Sequence, residues 1–313
     1  MTVEVGHSAQ VAVTAATLWT SPSTTQDTDR LALGSGTAIR EWVAGMTREQ
    51  RVKGLVDRAL TQVLLGDEVI VDAVEDGWAK VVVQGQPSSL DERGYPGWIP
   101  ERQLAVPAEP AGGKPHVVSA TAIAVRDEPD GEVLIPGVSM GTRLNVLDEE
   151  HYRGWARVAL PGPQQPGWVR MRDLSGAPGS PPPAASGRLD VIAVASQLLD
   201  VPYVWGGLTA YGVDCSSLVY LSFRQLGISL PRDAHDQAAA TREITEDEAQ
   251  PGDLYFFAHE GKQIHHIGLM TEPDDDGERT MVHADGNYGK VVHEPLTSER
   301  AETFVGVHKV FDD

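Results

Sequence analysis

The chain has a single cysteine, Cys215, and ten histidines among its 313 residues. One cysteine excludes an internal disulfide framework and a multi-cysteine zinc or iron–sulfur centre. It leaves two roles: quiet burial as a small hydrophobe, or nucleophilic chemistry. The surroundings favour chemistry. The run Gly212-Val213-Asp214-Cys215-Ser216-Ser217 follows a glycine-rich turn, and from Cys215 onward Val219, Phe223 and Leu226 recur at helical spacing until Gly227. Asp214 stands where a helix N-cap is wanted, which puts the sulfur in the first helical turn. The positive end of the helix dipole is expected there to favour thiolate over thiol, and the first N–H groups to help hold an oxyanion.

Acyl transfer through sulfur needs an imidazole base, and the base needs a third group to fix its tautomer. Downstream, PGDLYFF (251–257) reads as a turn entering a strand, and the runs beginning at His265 and Thr280 read as two more strands. A helix bearing cysteine against a small antiparallel sheet bearing histidine is the papain-type arrangement. His266 and His283 are the candidates for base and third group, and strand alternation lets only one of His265 and His266 face the cleft. His259, His293 and His308 read as ordinary surface or strand residues. Cys215, His266 and His283 lack recognisable metal-ligand spacing, so no metal or other cofactor is expected. A helix from about Leu189 to Leu199, with Ile192, Ala195 and Leu199 on one face, precedes this block.

These motifs carry a resemblance. Residues 187–313 resemble the NlpC family of papain-like cell-wall cysteine peptidases through PYVWGG (202–207), GVDCSSLV (212–219), GISLPRDAHDQ (227–237), PGDLYFF, HIGLM (266–270) and MVHA (281–284). The resemblance implies Cys215 as nucleophile, His266 as base, His283 as orienting residue and Tyr203 as an active-site tyrosine. It adds Trp205 and Ser217 to the substrate-binding set, Ser217 standing where family members usually carry glycine. The acidic insertion EPDDDGE (272–278) is expected to bulge out as a hairpin loop without moving His283.

Two Pro/Gly-rich breaks, at 107–115 and 175–186, part the chain into blocks of about 1–106, 115–174 and 187–313. The first two blocks repeat one another. Gly66-Asp67, Gly77-Trp78 and Pro96-Gly97-Trp98 in the first match Gly141-Thr142, Gly154-Trp155 and Pro166-Gly167-Trp168 in the second. Short alternating strands joined by glycine turns predict small β-barrels whose cores the indoles fill. They resemble the bacterial Src-homology-3-like (SH3-like) barrels attached to cell-wall enzymes. The first block adds a helical stretch between about Thr47 and Leu60 with a Thr47/Gln50 capping box. It also adds the loop 84–97, which reads either as a solvated excursion or as the carrier of Tyr95 toward a neighbouring domain's cleft. The expected fold class is therefore multidomain: two all-β SH3-like barrels followed by an α+β papain-like domain.

That layout resembles the γ-D-glutamyl-L-diamino acid endopeptidases that trim murein peptides. The resemblance implies a peptide substrate, L-Ala-γ-D-Glu-diamino acid, with the diamino acid either meso-diaminopimelate or lysine. Its free alanine ammonium would meet Asp67 or its neighbour Glu68, together with Tyr95, Asp214 and Ser216.

Composition narrows the partners. A formal charge of −20 disfavours nucleic acid and anionic membrane surfaces, while 41% hydrophobic residues suffice for packed cores. No run approaches the roughly 18 apolar residues of a membrane helix, and the N-terminus lacks a basic, then apolar, signal pattern. A cytoplasmic recycling enzyme, monomeric, is expected. The alternatives are a secreted location, a non-catalytic cell-wall-binding protein, and a cysteine amidase or acyltransferase on the same scaffold.

Overall fold

A computed structural model describes residues 2–36, 38–107, 112–148, 152–175 and 184–311. Residues 108–111 and 176–183, which make up much of the two expected breaks, lie outside the described residues. The chain divides into two compact units, residues 1–179 with 205–211, and residues 180–204 with 212–313.

The first unit carries the sequence repeat as a repeat of topology. Its first sheet comprises β1 (Ser8–Val11), β2 (Ala15–Trp19), β3 (Ala59–Leu64), β4 (Glu68–Glu75), β5 (Trp78–Val83), β6 (Tyr95–Pro100) and β7 (Leu104–Ala105), in the order β3-β2-β6-β5-β4-β1-β7. Its second comprises β8 (Lys114–Val118), β9 (Ala122–Arg126), β10 (Val133–Ser139), β11 (Arg143–Val146), β12 (Trp155–Val158), β13 (Gly167–Arg170) and β14 (Leu174–Ser175). The second order, β10-β9-β13-β12-β11-β8-β14, is the first with every strand replaced by its counterpart.

The Gly-Trp pairs mark the same hairpin in each copy. Asp76 and Gly77 have φ of 49° and 78°, and Arg153 and Gly154 have 50° and 81°. Two consecutive positive φ values give a type I′ turn, which matches strand twist and favours glycine at its second position. Gly97 and Gly167 are required by packing instead. A Cβ there would collide with Leu18 in the first copy and with Val125 in the second.

The indoles do not fill the cores, contrary to the sequence expectation. Both cores are mainly aliphatic: Val69, Val71, Ala79, Val81 and Val83 belong to one, and Val125, Leu144, Ala156, Val158 and Val169 to the other. Strand alternation explains the difference. In β12, Ala156 and Val158 point inward, so Trp155 takes the other face, where the Arg170 guanidinium lies 4.0 Å from its ring centroid.

Three short helices, α1 (Arg30–Leu33), α2 (Ile39–Gly45) and α3 (Arg48–Val52), interrupt the first sheet between β2 and β3. The Thr47/Gln50 capping box forms, but α3 stops at Val52 and turns lead from there into β3, so the helix is far shorter than expected. Asp57, with φ of 61°, closes that stretch. The loop after β5 is anchored rather than solvated throughout. Gln86 is fully buried, accepting from the Thr61 hydroxyl at 2.8 Å and donating to the Gln62 carbonyl at 2.7 Å.

Two short strands, β15 (Leu208–Thr209) and β16 (Gly212–Val213), lie along the chain on either side of the last unit boundary. The second unit is built on an antiparallel sheet of β17 (Arg242–Ile244), β18 (Leu254–Ala258), β19 (Ile264–Met270), β20 (Thr280–Asp285), β21 (Lys290–Pro295) and β22 (Phe304–Lys309). The order is β17-β22-β18-β19-β20-β21. Helices α4 (Ala184–Ser196) and α5 (Cys215–Gln225) pack on each other, α5 lies against β19 and β20, and α6 (Ala234–Ala240) lies against β19. A last short helix is α7 (Ser298–Ala301).

Helix α4 starts earlier and ends earlier than the sequence suggested. Its buried side chains include Val191 and Ala195, with Leu198 just beyond its end, whereas Leu199 is exposed. The 272–278 insertion is an exposed loop joining the antiparallel strands β19 and β20, as expected.

Gly97→Ala and Gly167→Ala are each expected to lower stability by about 1–3 kcal/mol through overpacking. Gly45→Ala, in α2 with open space around it, should be neutral or stabilising by up to about 1 kcal/mol. Urea melts of the three variants check this.

Candidate active site

Helix α5 begins as the sequence implied and ends as it implied. Asp214 caps it, accepting from the Ser217 N–H at 2.8 Å, while the Ser217 hydroxyl accepts from the Asp214 N–H at 2.8 Å. At the other end Gly227, with φ of 76°, and Ile228 donate to the Arg224 and Phe223 carbonyls, a Schellman closure. The sulfur of Cys215 thus sits at the first residue of a helix fixed at both ends. It is 8% exposed and receives backbone hydrogen bonds from Ser216 and from Ile267, the residue after His266.

Strand β19 carries His266, the candidate base. Phe257 pairs with His266, and the next pair is Ala258 with Ile264, so His265 is the bulged residue. The bulge puts His265 in solvent, stacked on His259 at 4.6 Å, and buries His266. From there a chain of hydrogen bonds runs inward. His266 Nε2 lies 2.8 Å from His283 Nδ1, and His283 Nε2 lies 3.0 Å from Glu294 Oε1. Both rings are buried, His283 fully.

This chain fixes every tautomer. The Glu294 carboxylate, held below the usual carboxylate range by its hydrogen bond with His283, can only accept. His283 must therefore carry its proton on Nε2, which leaves Nδ1 as an acceptor. His266 must then carry its proton on Nε2, which leaves its Nδ1 lone pair as the free base. Burial, reinforced by His283, pushes the His266 imidazole well below the ordinary histidine value, so it is neutral and ready to accept a proton.

The cysteine is not the preformed thiolate that the helix dipole suggested. Burial and the adjacent Asp214 carboxylate push its thiol up to about 12, and these outweigh the two backbone hydrogen bonds to sulfur. Arg232 does not reverse this, because its charge is bound to Asp214. Its Nη1 and Nη2 donate to the two Asp214 oxygens at 3.0 and 2.7 Å, and Nη1 also reaches the Ser216 hydroxyl at 2.8 Å. A neutral thiol on α5 and a neutral imidazole on β19, two elements that pack together, suit general-base activation at the moment of attack. Tyr203 completes the set. Burial and the nearby Cys215 and Asp214 keep its phenol well above the ordinary value, so it remains an O–H donor beside the nucleophile.

The structure therefore gathers Cys215, His266, His283 and Tyr203 in the second unit. It gives Asp214, Ser216 and Ser217 internal tasks at the start of α5, and Ser217, fully buried in the capping box, lines no subsite. Trp205, Tyr95 and Asp67 belong to the first unit. Trp205 donates through Nε1 to the Ala59 carbonyl at 3.2 Å, Tyr95 is packed into the core of the first repeat, and Asp67 accepts from the Leu64 N–H at 3.1 Å. Sequence reasoning missed Glu294 and Arg232. Glu294 acts through strand pairing, facing Met281 two pairs along from His283 and so on the same face of the sheet, and a solvent-edge glutamate in a strand carries no local signal of that. Arg232 lies within a motif that was noted, with no spacing to tie it to Asp214.

The residues of His283, Asp285 and Glu294 offer ligand atoms within 4.8 Å of one another. All three are committed: His283 and Glu294 to each other, and Asp285 to Arg300 in an ion pair. The geometry suits a proton relay better than a cation site.

Residues 200–308 match the model of the NlpC/P60 family. Over 300 residues the chain is 33% identical to the γ-D-glutamyl-L-lysine dipeptidyl-peptidase of Bacillus subtilis (strain 168), covering 95% of this chain and 93% of that one. The protein of the same name from Bacillus cereus is 34% identical over 281 residues, covering 87% of this chain and 81% of that one. The crystal structure of an NlpC/P60 family protein from Bacillus cereus ATCC 10987 superposes with a TM-score of 0.87 at 30% identity, over 97% of this chain and 99% of that one.

Two outcomes follow from the site. Because thiolate is the species that alkylates, and the folded thiol is raised to about 12, iodoacetamide should label Cys215 slowly at neutral pH. The rate should keep rising past pH 9, where a free cysteine of pKa about 8.5 has begun to level off; mass spectrometry of the single-cysteine protein measures it. Glu294→Leu should release the tautomer lock and lower kcat about 100-fold, with Glu294→Gln, which can still accept from His283, losing less. Steady-state kinetics with unchanged far-UV circular dichroism check this.

Proposed function

The chain belongs to the NlpC/P60 family and is a cysteine peptidase, and from that premise we propose that it hydrolyses the γ-D-glutamyl–diamino acid bond of murein peptides that carry a free N-terminal L-alanine. The observation that carries the reading is the chain from Glu294 through His283 to His266, which leaves one imidazole lone pair over on β19, the strand against which the Cys215 helix packs. Relatives that share its length bear dipeptidyl-peptidase names, which supports release of a dipeptide from the amino end. The two matching seven-stranded sheets we read as SH3-like barrels, at about 1–106 and 115–174, ahead of a papain-like domain at 187–313.

In this reading His266 Nδ1 takes the thiol proton as Sγ bonds to the γ-carbonyl carbon of D-glutamate. Charge moves to the carbonyl oxygen, where the Cys215 N–H and the Tyr203 hydroxyl are the donors at hand. The C–N bond then breaks, and the departing amine takes its proton from His266. Water attacks the thioester with His266 again accepting a proton, which returns the thiol and releases L-Ala-γ-D-Glu. Neutral His266 and His283 pass through an imidazolium stage that the Glu294 carboxylate stabilises.

A murein peptide whose alanine amine is free has already left the glycan. The reaction therefore follows an amide-cleaving step and belongs to recycling of wall peptides, which we place in the cytoplasm.

Incubation with L-Ala-γ-D-Glu-L-Lys or the diaminopimelate tripeptide should release L-Ala-γ-D-Glu by mass spectrometry. Cys215→Ala should abolish release, and N-acetylation of the alanine should prevent it. Equal cleavage of the acetylated peptide would remove the requirement for a free amine.

A further inference from the structure

Within the second unit a cavity of about 400 Å³ has His266 and Tyr203 in its wall. Among the described residues that line it, Cys215 is absent. This places it chemically. The acyl half of a substrate is bonded to sulfur, while the departing amine receives its proton from His266, so a cavity walled by the imidazole and not the thiol belongs to the leaving group. Its volume lies at the lower end of the roughly 300–1,000 Å³ of small-molecule sites, room for one long amino acid rather than a peptide.

The rest of the wall carries three charged residues beside His259, His265, Asn287 and Thr303. Arg300, Glu299 and Glu302 come from α7 and the residue after it. Arg300 is half-buried, and its Nη2 is pinned by an ion pair to Asp285, itself fixed by the Tyr288 N–H at 2.7 Å. A guanidinium has further N–H donors in a rigid fork, and pinning one side aims the others. Glu299 and Glu302 are exposed. One oriented cation and two carboxylates complement a ligand with a carboxylate and a separate ammonium.

We propose that this cavity seats the departing diamino acid, with Arg300 binding its α-carboxylate and Glu299 and Glu302 holding its distal ammonium. The assignment rests on the hydrolytic reading above and adds the residues that select the leaving group. Amino acids without a second amine fit the same space but leave the two glutamates without a counter-charge.

The test compares three peptides: L-Ala-γ-D-Glu-L-Lys, its C-terminal carboxamide, and the norleucine analogue that lacks the distal amine. The wild-type chain should lose about tenfold in kcat/KM on each analogue, as expected for one charge-assisted contact. Arg300→Lys, which keeps a cation for Asp285, should slow the lysine peptide and leave the carboxamide unchanged. Glu299→Gln with Glu302→Gln, both on the surface, should slow the lysine peptide and leave the norleucine peptide unchanged. Equal wild-type rates on all three peptides, or variants that slow all three alike, overturn the assignment while the peptidase reading stands. Absence of hydrolysis of every peptide by the wild-type chain overturns both.

Discussion

One partly buried carboxylate, that of Glu294, sets the direction of the hydrogen bonds in this site. Glu294 can only accept, so His283 must donate to it, His266 must donate to His283, and the lone pair left over is on His266 Nδ1, the nitrogen that the proposed mechanism uses as base. Reversing either link would set a buried acceptor against an acceptor, or a donor against a donor, at a cost of about 1–3 kcal/mol for an unsatisfied polar group. The sheet is what makes the chain rigid. The histidines stand on adjacent strands, the glutamate on the next, and the register of β20 with β21 fixes the distance between them.

The start of α5 obeys a second constraint of opposite sign. A helix N-terminus lowers a thiol pKa, but the residue that caps this helix is itself an anion next to the sulfur, and Arg232 binds that anion instead of the sulfur. Charge at the site is thus balanced before any substrate arrives. Such a balance suits a nucleophile generated on demand by a neutral base. An ion pair formed in advance would need an imidazolium, which burial disfavours at His266.

Much of this was legible in the sequence, and the parts that were not have a common cause. Asp214, Cys215 and Gly227 announce a capped helix because capping is local, and the histidine strands announce themselves because alternation is local. The Gly-Trp repeats likewise gave the hairpins, since a type I′ turn is written in two residues. What the sequence concealed is what depends on partners distant along the chain: Glu294 across a strand pair, Arg232 across the gap between α5 and α6, and the outward face of Trp155. The early end of α3 was hidden for a different reason, since helical propensity through residue 60 yields to the strand pairing of β3 with β2 that begins at Ala59. The sign of the cysteine's shift was also hidden, because the same aspartate that supplies the cap supplies the opposing charge.

Burial of His266, the proposed base, bears on how a substrate would engage it. An imidazole held well below its ordinary pKa is a weak base in water, and it becomes effective only if the thiol proton it takes is made more acidic by the bound state. Under the proposed mechanism, a substrate that displaces water brings its carbonyl to the nucleophile and to the protein's oxyanion donors together, so proton transfer and sulfur attack would be driven as one event. A compact relay of neutral groups thereby ties chemistry to a correctly seated peptide. The free thiol, protonated and barely exposed, is protected meanwhile from adventitious oxidation, which proceeds through thiolate.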